Sequence, residues 1–221
     1  MGLSNAESQV GERTQMTLPK KGARGAILSG IIDTGVHIRE YKGEKKKPSR
    51  EFIPVFTLLN DTYETDEGET RQCTVRMFPL KLMPGAKRGK YYDFYNAIDS
   101  NHEVLDAKGQ GNVFDLIGRN CFVNIEYSDP DDEGFVYPNC NGISAFPEDF
   151  PAPEVEYNKL TFDLENPNRD VFEGLNSWVQ DQIRSSEGYA GSELEAILEG
   201  DAPAPAQETD ADEEEDADSP I

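Results

Sequence analysis

The acidic side chains of this sequence crowd towards one end, and that asymmetry limits where a folded core can lie. Residues 148–221 hold 22 Asp and Glu against 3 Lys and Arg, a net of −19. Residues 1–147 hold 21 against 18, a net of −3, and the two parts sum to the −22 of the chain. The sequence pI of about 4.3 therefore describes the C-terminal part. From Gly200 the sequence is Ala, Pro, Asp, Glu and little else. Such a segment has too little apolar surface to offset the entropy of ordering it, so residues 200–221 are expected to form a disordered acidic tail. The core must be built upstream. A net charge of −22 would ordinarily hold a chain away from nucleic acid; with the charge segregated, that objection does not reach the first 147 residues.

Residues 1–19 are polar, unpatterned and expected to be flexible. From Arg24 the run ARGAILSGIIDTGVHIREY reads as a long strand, with Gly25 and Gly30 as close-approach or bulge positions. EFIPVFTLLN is a second strand, in which Pro54 removes a backbone donor and predicts an edge or a bulge. After an acidic turn closing on Gly68, TRQCTVRMF alternates Cys73, Val75 and Met77 against Thr74, Arg76 and Phe78, a third strand. Tyr91 with Phe94–Ile98 gives helical spacing, and FDLIG a helical turn stopped by glycine. RNCFVNIEYS and FVYPNCNGISAFP are the fourth and fifth strands. This order predicts a mainly β fold over residues 20–147: a five-stranded OB-fold, a Greek-key barrel with a helix between strands 3 and 4. Residues 148–199 read as an acidic linker with two short amphipathic helices. The first carries Val171, Leu175, Trp178, Val179 and Ile183, and the second is capped by Ser192.

Between the first two strands lies REYKGEKKKPSR, with six cations in twelve residues: Arg39, Lys42, Lys45, Lys46, Lys47 and Arg50. Tyr41 sits among them; Phe52 and Phe56 follow. Cations suit a phosphate backbone and flat rings suit bases, the mixture that single-stranded nucleic acid requires. The alternative is a solvated hairpin tip. Arg71, Arg76, Lys87, Arg88 and Lys90 form a second basic group. Tyr41, Phe52, Phe56 and Phe78 are the expected stacking rings; Phe52 and Phe56 share a face opposite Ile53 and Val55, and strand register decides whether they point outward or into a core. Tyr91, Tyr92 and Tyr95 are assigned to helix packing.

Little points to catalysis, and the protein is read as a non-enzyme without metal or cofactor. Cys73, Cys121 and Cys140 form no CxxC pair, and the only histidines are His37 and His102. The three cysteines read as reduced thiols of a cytosolic protein. The acidic turn at Asp129, Asp131, Asp132 and Glu133 lacks EF-hand spacing. No apolar run suits a membrane span or a secretory signal.

The runs from Gly22 to Leu59 and from Asp66 to Phe78, and the phrase FDLIGRNCFVNIEYS, together resemble the phage single-stranded DNA-binding proteins of the OB-fold type. Two phrases carry the resemblance: IDTG at Ile32–Gly35 and FDLIGRNC at Phe114–Cys121. It covers about residues 22–147. Met77–Leu82 reads MFPLKL where that family often has a Tyr-Thr pair, and the helical segment 171–199 lies outside it. A tail ending DEEEDADSPI is a second likeness. The resemblance implies a protein that binds and protects single-stranded DNA in the cytoplasm of an infected bacterium during phage DNA replication, recombination and repair. It implies that the tail, through Asp216, Asp218, Ser219, Pro220 and Ile221, recruits phage or host replication and recombination proteins and competes with DNA; a terminal apolar side chain beside a carboxylate suits a basic-rimmed pocket. No membrane partner is expected, and a homo-oligomer is left open. Two other readings stand beside this one: a phage structural or decoration protein with an interaction tail, and an acidic inhibitor that mimics DNA.

Overall fold

The computed structural model describes residues 17–65, 67–147 and 155–200. The expectations for the N-terminal arm up to residue 16 and for the tail beyond Gly200 lie outside the described residues. Strand β1 (Gly22–His37) leads into a small hairpin, β2 (Glu40–Tyr41) and β3 (Glu44–Lys45), and then β4 (Ser49–Glu64). Next come β5 (Thr70–Arg76), β6 (Leu80–Lys81), α1 (Lys90–Ile98), a 3-10 turn over Val113–Leu116, β7 (Asn120–Tyr127) and β8 (Pro138–Ala145). Strand β9 (Leu160–Phe162) and helices α2 (Arg169–Glu173), α3 (Ser177–Arg184) and α4 (Glu193–Glu199) follow. Among the described residues no helix is long and apolar enough to cross a membrane.

The long strands form one antiparallel sheet in the order β5-β4-β1-β7-β8, with β6 beside β4 and β9 parallel to β1. An isolated parallel bridge between Met77 and Cys140 joins the end of β5 to β8, so the two outer strands meet at one point. The mainly β class, and a helix between the third and fourth long strands, agree with the sequence pattern.

Strands β1 and β4 are buried almost continuously from Ala26 to Gly35 and from Glu51 to Leu59. Such runs mark strands covered on both faces. One face looks into a core shared by all five long strands, α1 and the 3-10 turn, where Leu28, Phe56, Val75, Phe94, Leu116 and Ile125 meet. The other looks into a second core of Ile32, Ile53 and Val55 beneath Phe162, Phe172, Leu175, Val179, Ile183 and Leu194.

This second core corrects the reading of Phe52 and Phe56. The two rings do share a face opposite Ile53 and Val55, but they are 3 % and 0 % exposed and cannot stack on bases. Phe52 packs edge-on against Phe94, centroids 5.5 Å apart, and against Tyr91 at 6.1 Å. Ile53 and Val55 needed a core as well, and β9 with α2–α4 supplies it. From Leu160 onward the expected linker is therefore a cover for the sheet. Its first helix is also two: Asn176 accepts a hydrogen bond from Val179 N at 3.0 Å and starts α3 afresh after α2 has ended at Gly174.

Pro54 lies inside a central strand, neither at an edge nor at a bulge. Its carbonyl accepts from Met77 N at 3.1 Å. In an extended strand a residue's nitrogen and carbonyl face the same side, so its nitrogen, without a hydrogen, also faces Met77, in the interval between the β5 and β6 ladders. Gly30 behaves as expected: the β1–β4 register shifts between Leu28 and Gly30, and a Cβ there would lie 2.8 Å from Leu160 Cβ and closer still to the Leu160 carbonyl.

Ile183 is fully buried in the second core, so Ile183→Ala should destabilise the protein by about 2–5 kcal/mol in urea unfolding. A chain ending at Pro147 should lose its cooperative transition, since Ile32, Ile53 and Val55 would face water. Wild-type stability in either variant would show the second core to be dispensable.

Candidate nucleic-acid interface

The basic stretch folds as a hairpin standing off the sheet. Lys42 and Gly43 have φ of 55° and 78° at its tip, the pair of positive values that a two-residue type I′ turn requires. The turn places Lys42 and Lys46 over the Tyr41 ring, at 5.4 and 5.7 Å from its centroid. Tyr41 remains 60 % exposed. Lys46 also reaches Glu44 at 3.0 Å, a pair in open solvent that holds little charge back. Lys42, Lys45 and Lys47 are exposed and make no ion pair among the described residues.

The two arginines at the hairpin base differ from these lysines. Arg39 Nη2 donates to Glu51 at 2.6 Å and to Gln182 Oε1 at 3.1 Å. Arg50 Nη2 donates to Asp33 at 2.6 Å, and Nη1 to Glu165 at 2.5 Å. Glu51 and Asp33 are 2 % and 3 % exposed, so each guanidinium answers a carboxylate that has lost its water. The Glu51 hydrogen bond outweighs partial burial and raises the Arg39 pKa; Asp33 and then Glu165 do the same for Arg50. Both arginines were expected to face the nucleic acid. Each is instead paired within the fold to a buried carboxylate.

The second basic group is divided. Leu82 N donates to Arg50 O at 2.8 Å, so the loop carrying Lys87, Arg88 and Lys90 starts beside the hairpin base. These three are exposed and without a carboxylate partner among the described residues. Arg76 pairs in register with Val55, on the sheet face turned from the first core. It is half-buried with no carboxylate partner among the described residues, and burial pushes its pKa down. Phe78, two residues on, is 54 % exposed, as the alternation of β5 predicts. Arg71 does not join them. It pairs with Tyr63, thirteen positions along β4 from Arg50, on the order of 40 Å of extended strand. Its guanidinium is held by Glu69 at 2.7 Å.

Trp178 and Lys81 were not among the residues expected at the interface. Both line a cleft at the hairpin base with Arg39, Glu51, Pro79 and Gln182. Trp178 falls one position before Val179 in a stripe of Leu175, Val179 and Ile183 that is turned inward. That offset was the available signal that the indole would be left at the surface, where it is 44 % exposed. The Asp129–Glu133 turn is held by its own hydrogen bonds, with Asp131 Oδ1 accepting from Phe135 N at 2.8 Å. Asp216, Asp218, Ser219, Pro220 and Ile221 lie outside the described residues.

No protein-family model matches the chain, and no curated protein matches it.

The hairpin cations therefore divide into anchors and free charges. Arg39→Ala and Arg50→Ala each strand a buried carboxylate. Losing one partner of a sealed pair costs about 3–5 kcal/mol. These guanidinium side chains are 41 % and 37 % exposed, so the expected loss is nearer roughly 1–3 kcal/mol. The triple change of Lys45, Lys46 and Lys47 to Ala should shift stability by less than about 0.5 kcal/mol. Urea unfolding of the three proteins distinguishes the classes; equal effects would abolish the distinction.

Proposed function

We propose that the protein binds single-stranded DNA with little sequence preference, through the β2–β3 hairpin and the adjoining surface. One observation carries the reading. Lys42 and Lys46 lie over an exposed Tyr41, Lys45 and Lys47 are exposed on the same stretch, and the one ion pair these lysines make among the described residues, Lys46–Glu44, is solvent-exposed. Four ammonium groups can neutralise successive phosphates while the ring takes a base. Arg76, Phe78, Lys87, Arg88 and Lys90 extend the surface; Phe52, Phe56 and Arg71 are not part of it, and Arg39 and Arg50 act by holding the hairpin in place.

Strand order supports an OB-type barrel as the frame. The sequence β5-β4-β1-β7-β8, the parallel bridge that brings β5 round to β8, and the helix before β7 are what such a barrel needs. On that frame the hairpin is the loop joining the first two barrel strands, one of the places where OB-folds take up oligonucleotides. This frame, the charge pattern and the likeness to phage proteins together suggest work on phage DNA during replication, recombination and repair in the host cytoplasm.

Titration of labelled single- and double-stranded oligonucleotides at two salt concentrations tests the proposal. Single strands should bind more tightly than duplex, with affinity falling steeply as salt rises. Alanine at Lys45, Lys46 and Lys47 should flatten the salt slope; Phe78→Ala should weaken binding with the slope kept. Equal affinity for both nucleic acids, or none at low salt, refutes the reading.

Residues 201–221 carry nine acidic side chains and no Lys or Arg. Tethered to the same chain at an effective concentration of roughly millimolar, they would compete with DNA for the same lysines. DNA binding would then release the Ser219–Ile221 end to recruit replication or recombination proteins. A chain ending at Glu199 should bind single strands more tightly than the full chain, most clearly at low salt where screening is weak. Equal affinity at low salt would remove the competition.

A further inference from the structure

In the OB frame proposed above, the outer face of the second and third barrel strands is the usual bed for an oligonucleotide. Here much of that face is covered. Ile53 and Val55 lie beneath the C-terminal segment, and Val179 and Ile183 of α3 press into the same core. A strand leaving the hairpin would therefore meet α3 before it met the sheet. At that boundary lies the cleft of about 400 Å³ between the hairpin base, β6 and α3.

Its chemistry is specific. Trp178 presents a large ring, 44 % exposed, although the helix that carries it has a well-packed inner stripe. Gln182 lies four residues on, hence on the same side of α3. Its Oε1 is taken by Arg39, whereas its amide nitrogen donates to nothing among the described residues. Lys81 stands opposite Glu51 in the β4–β6 register and makes no ion pair among the described residues. The Glu51 carboxylate in the cleft wall is already matched by Arg39 at 2.6 Å, so it does not repel an anion with a full charge. A flat ring, an uncommitted amide donor and an uncommitted ammonium thus surround one opening. Each matches a different part of a nucleotide: base face, base carbonyl and phosphate.

We propose that this cleft is a nucleotide subsite, in which Trp178 stacks one base, Gln182 donates to a carbonyl of that base and Lys81 takes the adjoining phosphate. The inference rests on the single-strand reading and extends it to the C-terminal helices.

Trp178 is the only tryptophan of the chain, so emission excited at the red edge of the absorption, where the nine tyrosines do not absorb, reports this residue alone. In the full chain, unlabelled oligo(dT) should quench the indole and saturate at the concentration where anisotropy of a labelled oligo(dT) saturates. Trp178→Ala should lower affinity roughly 5- to 150-fold, with native circular dichroism and an unchanged salt slope, and Trp178→Phe should recover most of the loss. Lys81→Ala should reduce the slope by about 1. Gln182→Ala should lower affinity for oligo(dT) more than for oligo(dA), whose base has no carbonyl. If wild-type protein gives no anisotropy change, the single-strand reading fails and the subsite with it. If it binds but its indole emission is unchanged, or if folded Trp178→Ala binds like wild type, the subsite alone is overturned. An equal effect of Gln182→Ala on both oligonucleotides removes the carbonyl contact.

Discussion

Between Phe52 and Leu58, strand β4 sends alternate side chains into two different cores, and the arrangement of the other elements follows from keeping both dry. A single sheet with one wet face would need only α1 to cover it. Because Ile53, Val55 and Ile32 are apolar on the reverse side, a second layer is obligatory, and the chain provides it from residues far along the sequence. Gly30 permits this by letting Leu160 approach the β1 backbone. A side chain there would hold β9 away and open the second core to water.

Burial on both sides also explains the charge arrangement at the hairpin base. Glu51 and Asp33 sit where β4 and β1 pass under the C-terminal cover, and a bare carboxylate there would lose far more solvation than it could regain. Arginine is suited to such a position because its planar fork satisfies both carboxylate oxygens at once. Arg39 bonds both oxygens of Glu51. The lysines are placed differently, at the tip, on flexible stems in water, where their charge stays available. The apparent cluster of six cations is thus two populations with opposite tasks. One fixes the hairpin to the body of the protein, and the other is presented by it.

This division was not legible in the sequence, because it depends on contacts 12 and 17 residues away and, for Glu165, 115 residues away. Much else was legible where the signal is local. The five long strands, α1, the glycine turn after Phe114 and the Ser192 cap of α4 all follow from short-range chemistry; Gly30 was legible as a close-approach position, though its neighbour Leu160 was not. The alternation of β5 correctly placed Phe78 outside. The same logic failed for Phe52 and Phe56, since alternation identifies which residues share a face and cannot say whether one face or both are covered. The acidic character of residues 148–199 concealed the second layer: Phe162, Phe172, Val179 and Ile183 are spaced among many charges, and only their three-dimensional meeting turns them into a core. Trp178 was overlooked because helical spacing from Val171 to Ile183 groups it with the apolar stripe.

The parallel pairing of β9 with β1 has a consequence for how the protein comes into being. Gly30 and Leu160 are neighbours in space but 130 residues apart along the chain. During synthesis at about 5–20 residues per second, the first strand therefore waits roughly 7–26 s for the segment that will shield its far half. Over that interval a nascent sheet displays Ile32, Ile53 and Val55 to its surroundings, and its long-range closure must come after the local hairpins have formed. The protein's exposure to aggregation is thus set by the distance between its first strand and the cover that strand requires, and it should be greatest for molecules whose synthesis stalls after β8.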